Sequence, residues 1–197
     1  MVVTEPGEFD IGSYVRPIEG EWLTGDAVIV EELTDGWFIA VIDVLGHGAE
    51  ANPLRTEIQS WLNDHAVSDI LRLMQELHKN LINTRGAVAG FCFIDKGGRL
   101  NYVGNGNTVI RKIGVDERRL VSADGVLGQT MRVSKTDTLL INIGDTVLLY
   151  TDGVKSHFDI NTHPEILTYR ADDLAKSIIE YYGKSHDDAA CIAIKRN

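Results

Sequence analysis

Apolar and polar positions change their spacing several times along the chain, and each change predicts a new element of secondary structure. Near the start, residues 27–30 and 37–44 are rich in β-branched and aromatic side chains, which is typical of strands. Thr34-Asp35-Gly36, which lies between them, has the composition of a tight turn. The pattern therefore predicts a β-hairpin.

Helical spacing follows the hairpin. One amphipathic helix is predicted over residues 49–65. A second is predicted to begin after Ser68, which suits an N-cap, and to end at the turn of residues 83–86. A third helix is predicted near the end, over residues 171–182. In the first helix, the apolar residues at intervals of three or four are Leu54, Ile58, Trp61 and Leu62.

Short apolar segments predict further strands. They cover residues 87–95, 100–103, 109–113, 138–142, 146–150 and 189–195. Residues 116–119 have mixed charge and predict an exposed turn.

Hairpins interrupted by helices favour antiparallel sheets with helices packed outside. This is an α+β layer structure rather than a doubly wound one. With 197 residues, we expect a single domain over residues 1–197.

Composition narrows the range of partners. The chain has 19 Lys and Arg against 29 Asp and Glu, a net charge of −10, and no basic tract, so nucleic acid is not an expected partner. No apolar run approaches the roughly 18 residues of a membrane span, and the first residues lack the pattern of a signal peptide. Cys92 and Cys191 lie in apolar segments and predict buried thiols in a reducing compartment. We therefore expect a cytoplasmic protein that does not bind membranes.

Aspartates recur where predicted strands meet turns. They are Asp26 in Gly25-Asp26, Asp43 at the end of the next strand, Asp152 in Thr151-Asp152-Gly153, and the pair Asp187-Asp188 before the last strand. Each one has a structural explanation by itself, because aspartate is favoured at turns and caps. If they meet in space, however, they cannot all stay ionised unless cations neutralise them.

Such a group of carboxylates predicts a site for hard divalent cations. Ligation by oxygen alone suits Mg²⁺ or Mn²⁺. Two such ions about 4 Å apart can activate a shared water for attack on phosphorus and polarise the phosphoryl oxygens. Bound cations would also let an acidic protein accept an anionic phosphate ester. The pattern thus indicates a phosphohydrolase without a protein nucleophile.

The order of these motifs resembles a known family. TGDAVIV, AVIDVLGHGAEA, IGDTVLLYTDGV and HDDAACIAI occur in the order found in PPM-type (type 2C) metal-dependent serine/threonine protein phosphatases of the SpoIIE-like branch. The resemblance extends from about Gly12 to Ile194. It implies an α-β-β-α sandwich of two stacked antiparallel sheets flanked by helices. In size, the chain is similar to the stand-alone stressosome phosphatases of the RsbX type.

The resemblance also implies roles for individual residues. Asp43 would bridge two ions, and Asp26 and the Val44 carbonyl would complete the shell of one ion, while Asp152 and Asp187 would hold the other. Asp43 and Asp152 would be the central catalytic residues. Asp188 stays an alternative to Asp187. For His47, two hypotheses stay open: a general acid for the leaving oxygen, and a hydrogen bond that stabilises the loop.

The function implied is the removal of phosphate from phosphoserine or phosphothreonine, with Mn²⁺ or Mg²⁺ as cofactor. The implied partners are phosphorylated STAS-domain proteins of the RsbS and RsbR kind in stressosome or partner-switching signalling. Two alternatives remain: a non-catalytic module that binds a signalling phosphoprotein, and hydrolysis of a small phosphate ester. No phosphate-binding arginine is evident. Arg16 is the candidate, although a solvated surface position is expected for it.

Overall fold

Two five-stranded antiparallel sheets stack face to face. The structure, a computed structural model, describes residues 8–133 and 135–197. The strands are β1 (Phe9–Arg16), β2 (Asp26–Leu33), β3 (Gly36–Val44), β4 (Ala87–Asp95), β5 (Arg99–Asn105), β6 (Val109–Ile113), β7 (Arg118–Val121), β8 (Asp137–Leu140), β9 (Thr146–Tyr150) and β10 (Ala189–Arg196). The helices are α1 (Gly48–His65), α2 (Ile70–Asn80) and α3 (Ala171–Tyr182), with short 3-10 turns at Ile160–Thr162 and Pro164–Thr168.

The sheets and helices form four layers. One sheet has the order β2-β3-β4-β5-β8 and is covered by α1 and α2, and the other has the order β1-β10-β9-β6-β7 and is covered by α3. Apolar side chains fill the space between the sheets and beneath the helices, which removes their surface from water and stabilises the stack. The central layer between the sheets includes Ile39, Val41, Cys92, Ile94, Tyr102, Ile110, Leu149 and Ile192. The α+β class predicted from the sequence is confirmed.

Two strands were not predicted. The segment of β1 was not assigned to any element, yet it pairs with β10 along its whole length. The prediction of an exposed turn at residues 116–119 was wrong in part, because β7 begins at Arg118 and pairs with β6. Both strands are the edges of the same sheet. Edge strands often carry charged and half-exposed side chains, so they lack the apolar signal of inner strands.

The two cysteines are buried and unpaired, as predicted. Burial raises the pKa of both thiols, so Cys92 and Cys191 behave as small apolar side chains. Across the described residues, no helix has the length and apolar character needed to cross a bilayer.

A buried lysine with an ion-pair partner links the two sheets. Lys112 on β6 lies 3.2 Å from the Asp145 carboxylate, and its ammonium group also donates to the Leu140 carbonyl of β8 at 3.0 Å. The side chains of Lys112 and Asp145 are 4% and 5% exposed. The Asp145 carboxylate also accepts a hydrogen bond from the backbone N–H of Asn142 at 2.8 Å. Removing one partner of such a buried ion pair leaves the other charge without compensation and lowers the free energy of unfolding.

We expect Lys112→Met to lower the free energy of unfolding by about 3 kcal/mol, because it leaves the Asp145 carboxylate buried without a cation. Urea unfolding followed by tryptophan fluorescence measures this change. The matched control is Arg118→Ala on the neighbouring strand. Arg118 forms an exposed ion pair with Asp116, so its loss should cost less than about 1 kcal/mol. Equal effects of the two substitutions would contradict the assignment.

Candidate metal centre

Asp26 and Asp43 face each other across the first hairpin. Asp26 is the first residue of β2, Asp43 is the last but one of β3, and the register pairs them directly. Like charges directly opposite each other in an antiparallel pair are destabilising. The hairpin therefore holds two carboxylates where folding alone would favour an apolar or oppositely charged pair.

Asp26 is also tied to the second sheet. Its carboxylate is 1% exposed and accepts a hydrogen bond of 2.6 Å from the Thr151 hydroxyl, which follows β9. The same hydroxyl oxygen accepts the backbone N–H of Ala190 on β10 at 2.9 Å. Burial and the nearby Asp43 raise the pKa of Asp26 well above its ordinary value, against the opposing effect of the Thr151 hydrogen bond. Thr151 thus fixes the orientation of the most buried carboxylate.

The Thr-Asp-Gly motif has a physical role for each residue. After Thr151, Asp152 accepts a hydrogen bond of 2.7 Å from the side-chain amide of Asn107. A Cβ at Gly153 would lie only 1.7 Å from the carbonyl oxygen of Asp188, so this position has no room for a side chain. The close contact sets the Asp152 loop directly against the segment that carries Asp187.

Asp187 and Asp188 have different surroundings. The Asp188 carboxylate is 4% exposed and accepts the backbone N–H groups of Ile18 and Gly25, each at 2.7 Å. It therefore holds the loop before Asp26. Asp187 is half-buried, and burial and the charge of Asp152 raise its pKa, while Lys184 lowers it.

Asp43 lies at the electrostatic centre of the group. Burial, followed by the charges of Asp152, Asp187 and Asp188, raises the pKa of Asp43 to about 8, and Lys184 acts in the opposite direction. The four aspartates predicted as ligands, Asp26, Asp43, Asp152 and Asp187, therefore influence one another at one end of the two sheets.

The donor set fits a divalent cation. The raised pKa values show that the ionised carboxylates are not neutralised by nearby cations of the protein, so a bound cation would stabilise them. Ligands that are all oxygen atoms suit Mg²⁺ or Mn²⁺. The Val44 carbonyl oxygen lies beside Gly25, the residue before Asp26, since a Cβ at Gly25 would lie 3.1 Å from it. Within residues 8–133 and 135–197, however, no three Asp, Glu, His or Cys side chains converge tightly enough to hold an ion as they stand.

The loop after Asp43 depends on its glycines. Gly46 and Gly48 adopt φ angles of 98° and 57°, in the region that favours glycine. The His47 ring is exposed and its Nδ1 lies 2.7 Å from Glu21 Oε1. Between the two hypotheses for His47, this contact favours a hydrogen bond that fixes the loop.

The sequence did not reveal several residues of the site. The roles of Thr151, Asn107 and Lys184 depend on which loops meet, although the turn of alternating Gly and Asn at residues 104–107 is a weak signal for Asn107. The expectation of a solvated surface position for Arg16 was wrong in part. The side chain is half-buried, and its guanidinium donates to the backbone carbonyls of Lys184 and Asp187 and so supports the segment that carries Asp187.

Comparison with known proteins identifies the family and the fold. A protein-family model described as Stage II sporulation protein E (SpoIIE) matches residues 34–197. A comparison with curated proteins gave no match. Among solved structures, a chain from work on the bacterial stressosome, as a modular system adapted to control secondary messenger signalling, has 27% identity and a TM-score of 0.86. The alignment covers 95% of this chain and 99% of that one.

Two more distant structures have the same fold. RsbX in complex with magnesium is 22% identical with a TM-score of 0.83, and the match covers 98% of both chains. The phosphatase domain of SpoIIE from Bacillus subtilis, solved with a fragment of its regulatory domain, is 15% identical with a TM-score of 0.74. That match covers 95% of this chain and 63% of the other. The expected α-β-β-α sandwich of the PPM phosphatases is thereby confirmed.

The raised pKa of Asp43 predicts how the chelated protein responds to pH. The folded state keeps a proton on Asp43 that the unfolded state releases near pH 4, so the free energy of unfolding should fall between about pH 4 and about pH 8 and then level off. Asp43→Asn removes this contribution. At pH 8 in chelator, the variant should exceed the wild type by about 5 kcal/mol, because the pKa of Asp43 differs by about four between the folded and unfolded states.

Urea unfolding across this pH range measures the effect. Asp64→Asn, at an exposed position of α1, is the matched control and should follow the wild type. A chelated Asp43→Asn protein that is less stable than the wild type at pH 8 would contradict the prediction.

Proposed function

The chain belongs to the SpoIIE family, and on that basis we propose that it is a protein phosphatase that depends on divalent cations. It would remove phosphate from phosphoserine or phosphothreonine. The observation that carries this proposal is the group of four mutually repelling aspartates at one end of the sheets. Such a group lowers stability by itself, so a fold retains it for what it binds.

The proposed ligands are Asp26, Asp43, the Val44 carbonyl, Asp152 and Asp187. Two Mn²⁺ or Mg²⁺ ions held by them would supply Lewis-acid chemistry, activating a water and polarising the phosphoryl oxygens. Asp43 and Asp152 would be the central ligands. The charge of Asp43 raises the pKa of Asp26, and the charge of Asp152 raises the pKa of both Asp43 and Asp187.

Other residues of the chain position these ligands. Thr151 holds one oxygen of Asp26 and Asn107 holds one oxygen of Asp152, so each carboxylate presents its second oxygen in a defined direction. Asp188 fixes the loop before Asp26 through two backbone hydrogen bonds. Lys184 lowers the pKa of both Asp43 and Asp187 through its charge. It limits the repulsion among the carboxylates.

For the substrate, we propose phosphorylated STAS-domain proteins of the RsbS and RsbR kind. The likeness to a stressosome structure at 27% identity and to RsbX supports stressosome or related partner-switching signalling. A cytoplasmic location fits the two buried, unpaired thiols. A non-catalytic binding module remains the second candidate, and it differs from the enzyme in having no need for the repelling aspartates.

Phosphate release should require the cation. We expect turnover of a small aryl phosphate and of a phosphorylated STAS-domain protein with Mn²⁺ or Mg²⁺, and none with chelator. Asp152→Asn should lower kcat/KM by at least about a hundredfold, because it removes a ligand charge at the reacting centre. The ratio of the two rates in the wild type separates a protein substrate from a small ester. Absence of release from both substrates would favour the binding module.

Substitution of Asp187 should affect metal binding, whereas substitution of Asp188 should affect stability. Asp187→Asn should weaken Mn²⁺ binding at least about tenfold with little change in stability, because it removes a ligand charge from a half-buried position. Asp188→Asn should lower the free energy of unfolding by about 2 kcal/mol, because the amide satisfies the two buried N–H groups less well. Calorimetric Mn²⁺ titration and urea unfolding of both variants measure these effects. The reverse pattern would assign the ligand role to Asp188.

A further inference from the structure

Two arginines face each other on the last hairpin of the second sheet. Arg111 on β6 pairs directly with Arg119 on β7, so the two side chains extend from the same face. Directly opposed like charges destabilise an antiparallel pair unless each is neutralised. The partners of the two guanidinium groups therefore need to be identified.

Arg111 is fully engaged. It forms a two-pronged ion pair with Glu117, at 2.8 Å from Nε and 2.7 Å from Nη2. Its Nη1 donates to the Phe158 carbonyl at 2.9 Å, and its guanidinium lies 4.9 Å from the centre of the Phe158 ring. Arg111 thus serves the structure by holding the segment after the Asp152 loop against the sheet.

Arg119 is exposed to solvent and differs from Arg111 in its partners. In the part of the chain that the structure describes, no carboxylate forms an ion pair with it, and its side-chain contact is with the His157 ring at 3.2 Å. The opposite face of the same hairpin is different. There, Arg118 and Lys112 also face each other, and each has a carboxylate, Asp116 and Asp145 respectively. Arg119 is the cation of these two pairs that lacks an anion.

A pocket of about 520 Å³ opens at this place. Arg111, Arg119 and His157 line it, as do Glu117 and Asp159, so its formal charge is close to zero. Asp159 directs one carboxylate oxygen to the amide groups of Asn161. Such a balance suits a single carboxylate better than a phosphate dianion, which would bring two charges to one free guanidinium.

A buried hydroxyl lies beside the same arginines. Tyr150 is 1% exposed, and its hydroxyl has no hydrogen-bond partner among the described residues. Burial raises the pKa of Tyr150 to about 12, with Arg119 and then Arg111 acting in the opposite direction. A buried polar group without a partner is costly. Tyr150 itself does not line the pocket, but its ring packs against Phe158, which does.

The pocket is connected to the proposed catalytic centre by two strands. Tyr150 ends β9 and is two residues from Asp152, while β6 begins two residues after Asn107, which binds Asp152. A phosphoprotein bound at the carboxylate group can therefore extend along these strands toward the pocket.

We propose that this pocket binds an acidic side chain of the phosphoprotein substrate through Arg119, at a subsite separate from the one for the phosphoryl group. This proposal rests on the proposed phosphatase function. It gives the enzyme a preference for phosphorylated segments with nearby glutamate or aspartate.

The test uses two phosphoserine peptides of about fifteen residues, one with glutamates on both sides of the phosphoserine and one with glutamines in their place. A small aryl phosphate is the third substrate, and the proteins are the wild type, Arg119→Ala and the matched control Arg118→Ala, all with Mn²⁺. We expect Arg119→Ala to lower kcat/KM about tenfold for the glutamate peptide. The other two substrates should be unaffected, and Arg118→Ala should match the wild type on all three.

Equal losses on both peptides, or the same loss in Arg118→Ala, would overturn the subsite. If the wild type hydrolyses none of the substrates, the phosphatase function fails, and binding decides the question of the pocket. In that case hexaglutamate is titrated into the chelated proteins and followed by NMR. Binding to the wild type and Arg118→Ala that weakens in Arg119→Ala supports the pocket, and equal or absent binding overturns it.

Discussion

Repulsion among buried carboxylates is the constraint on which this structure depends. Asp26 and Asp43 are forced together by the register of one hairpin, and the loops that carry Asp152 and Asp187 meet them from the other sheet. The remaining fold supplies the compensation: a hydroxyl for Asp26, an amide for Asp152, and Lys184 for the group. Two stacked sheets are a suitable scaffold, because their ends bring strand termini from distant parts of the chain into one region.

Much of the fold could be predicted because the inner strands are strongly apolar. In β4, eight of nine residues are buried, and such a run has no other common explanation. The two missed strands, β1 and β7, are the edges of one sheet, where FDIGSYVR and RRLV mix polar and charged side chains with apolar ones, at half-buried positions in β1 and mostly exposed ones in β7. The spacing of apolar residues depends on burial rather than on hydrogen bonding, so it does not reveal edge strands with few buried side chains.

The candidate site was predictable to a similar degree and for a similar reason. Aspartate at the end of an apolar strand is a local pattern, and it predicted Asp26, Asp43 and Asp152, which lie close enough in the structure to influence one another. The roles of Asn107 and Lys184 depend on which loops meet in space, and the local sequence gives only the weak signal of the Gly-Asn turn for Asn107. The distinction between Asp187 and Asp188 also required the structure, because it rests on backbone N–H groups about 170 residues earlier in the chain, at Ile18 and Gly25.

The adjacent pair Asp187-Asp188 has a consequence for the protein in a cell. One carboxylate is a proposed metal ligand and the other holds the fold, so under the proposed function these adjacent positions control different properties. A lesion at Asp187 would leave an abundant, folded protein that still occupies its partners and interferes with a normal copy. A lesion at Asp188 would reduce abundance instead, because proteases remove chains that unfold more often. The first fault would be dominant, and the second would be recessive.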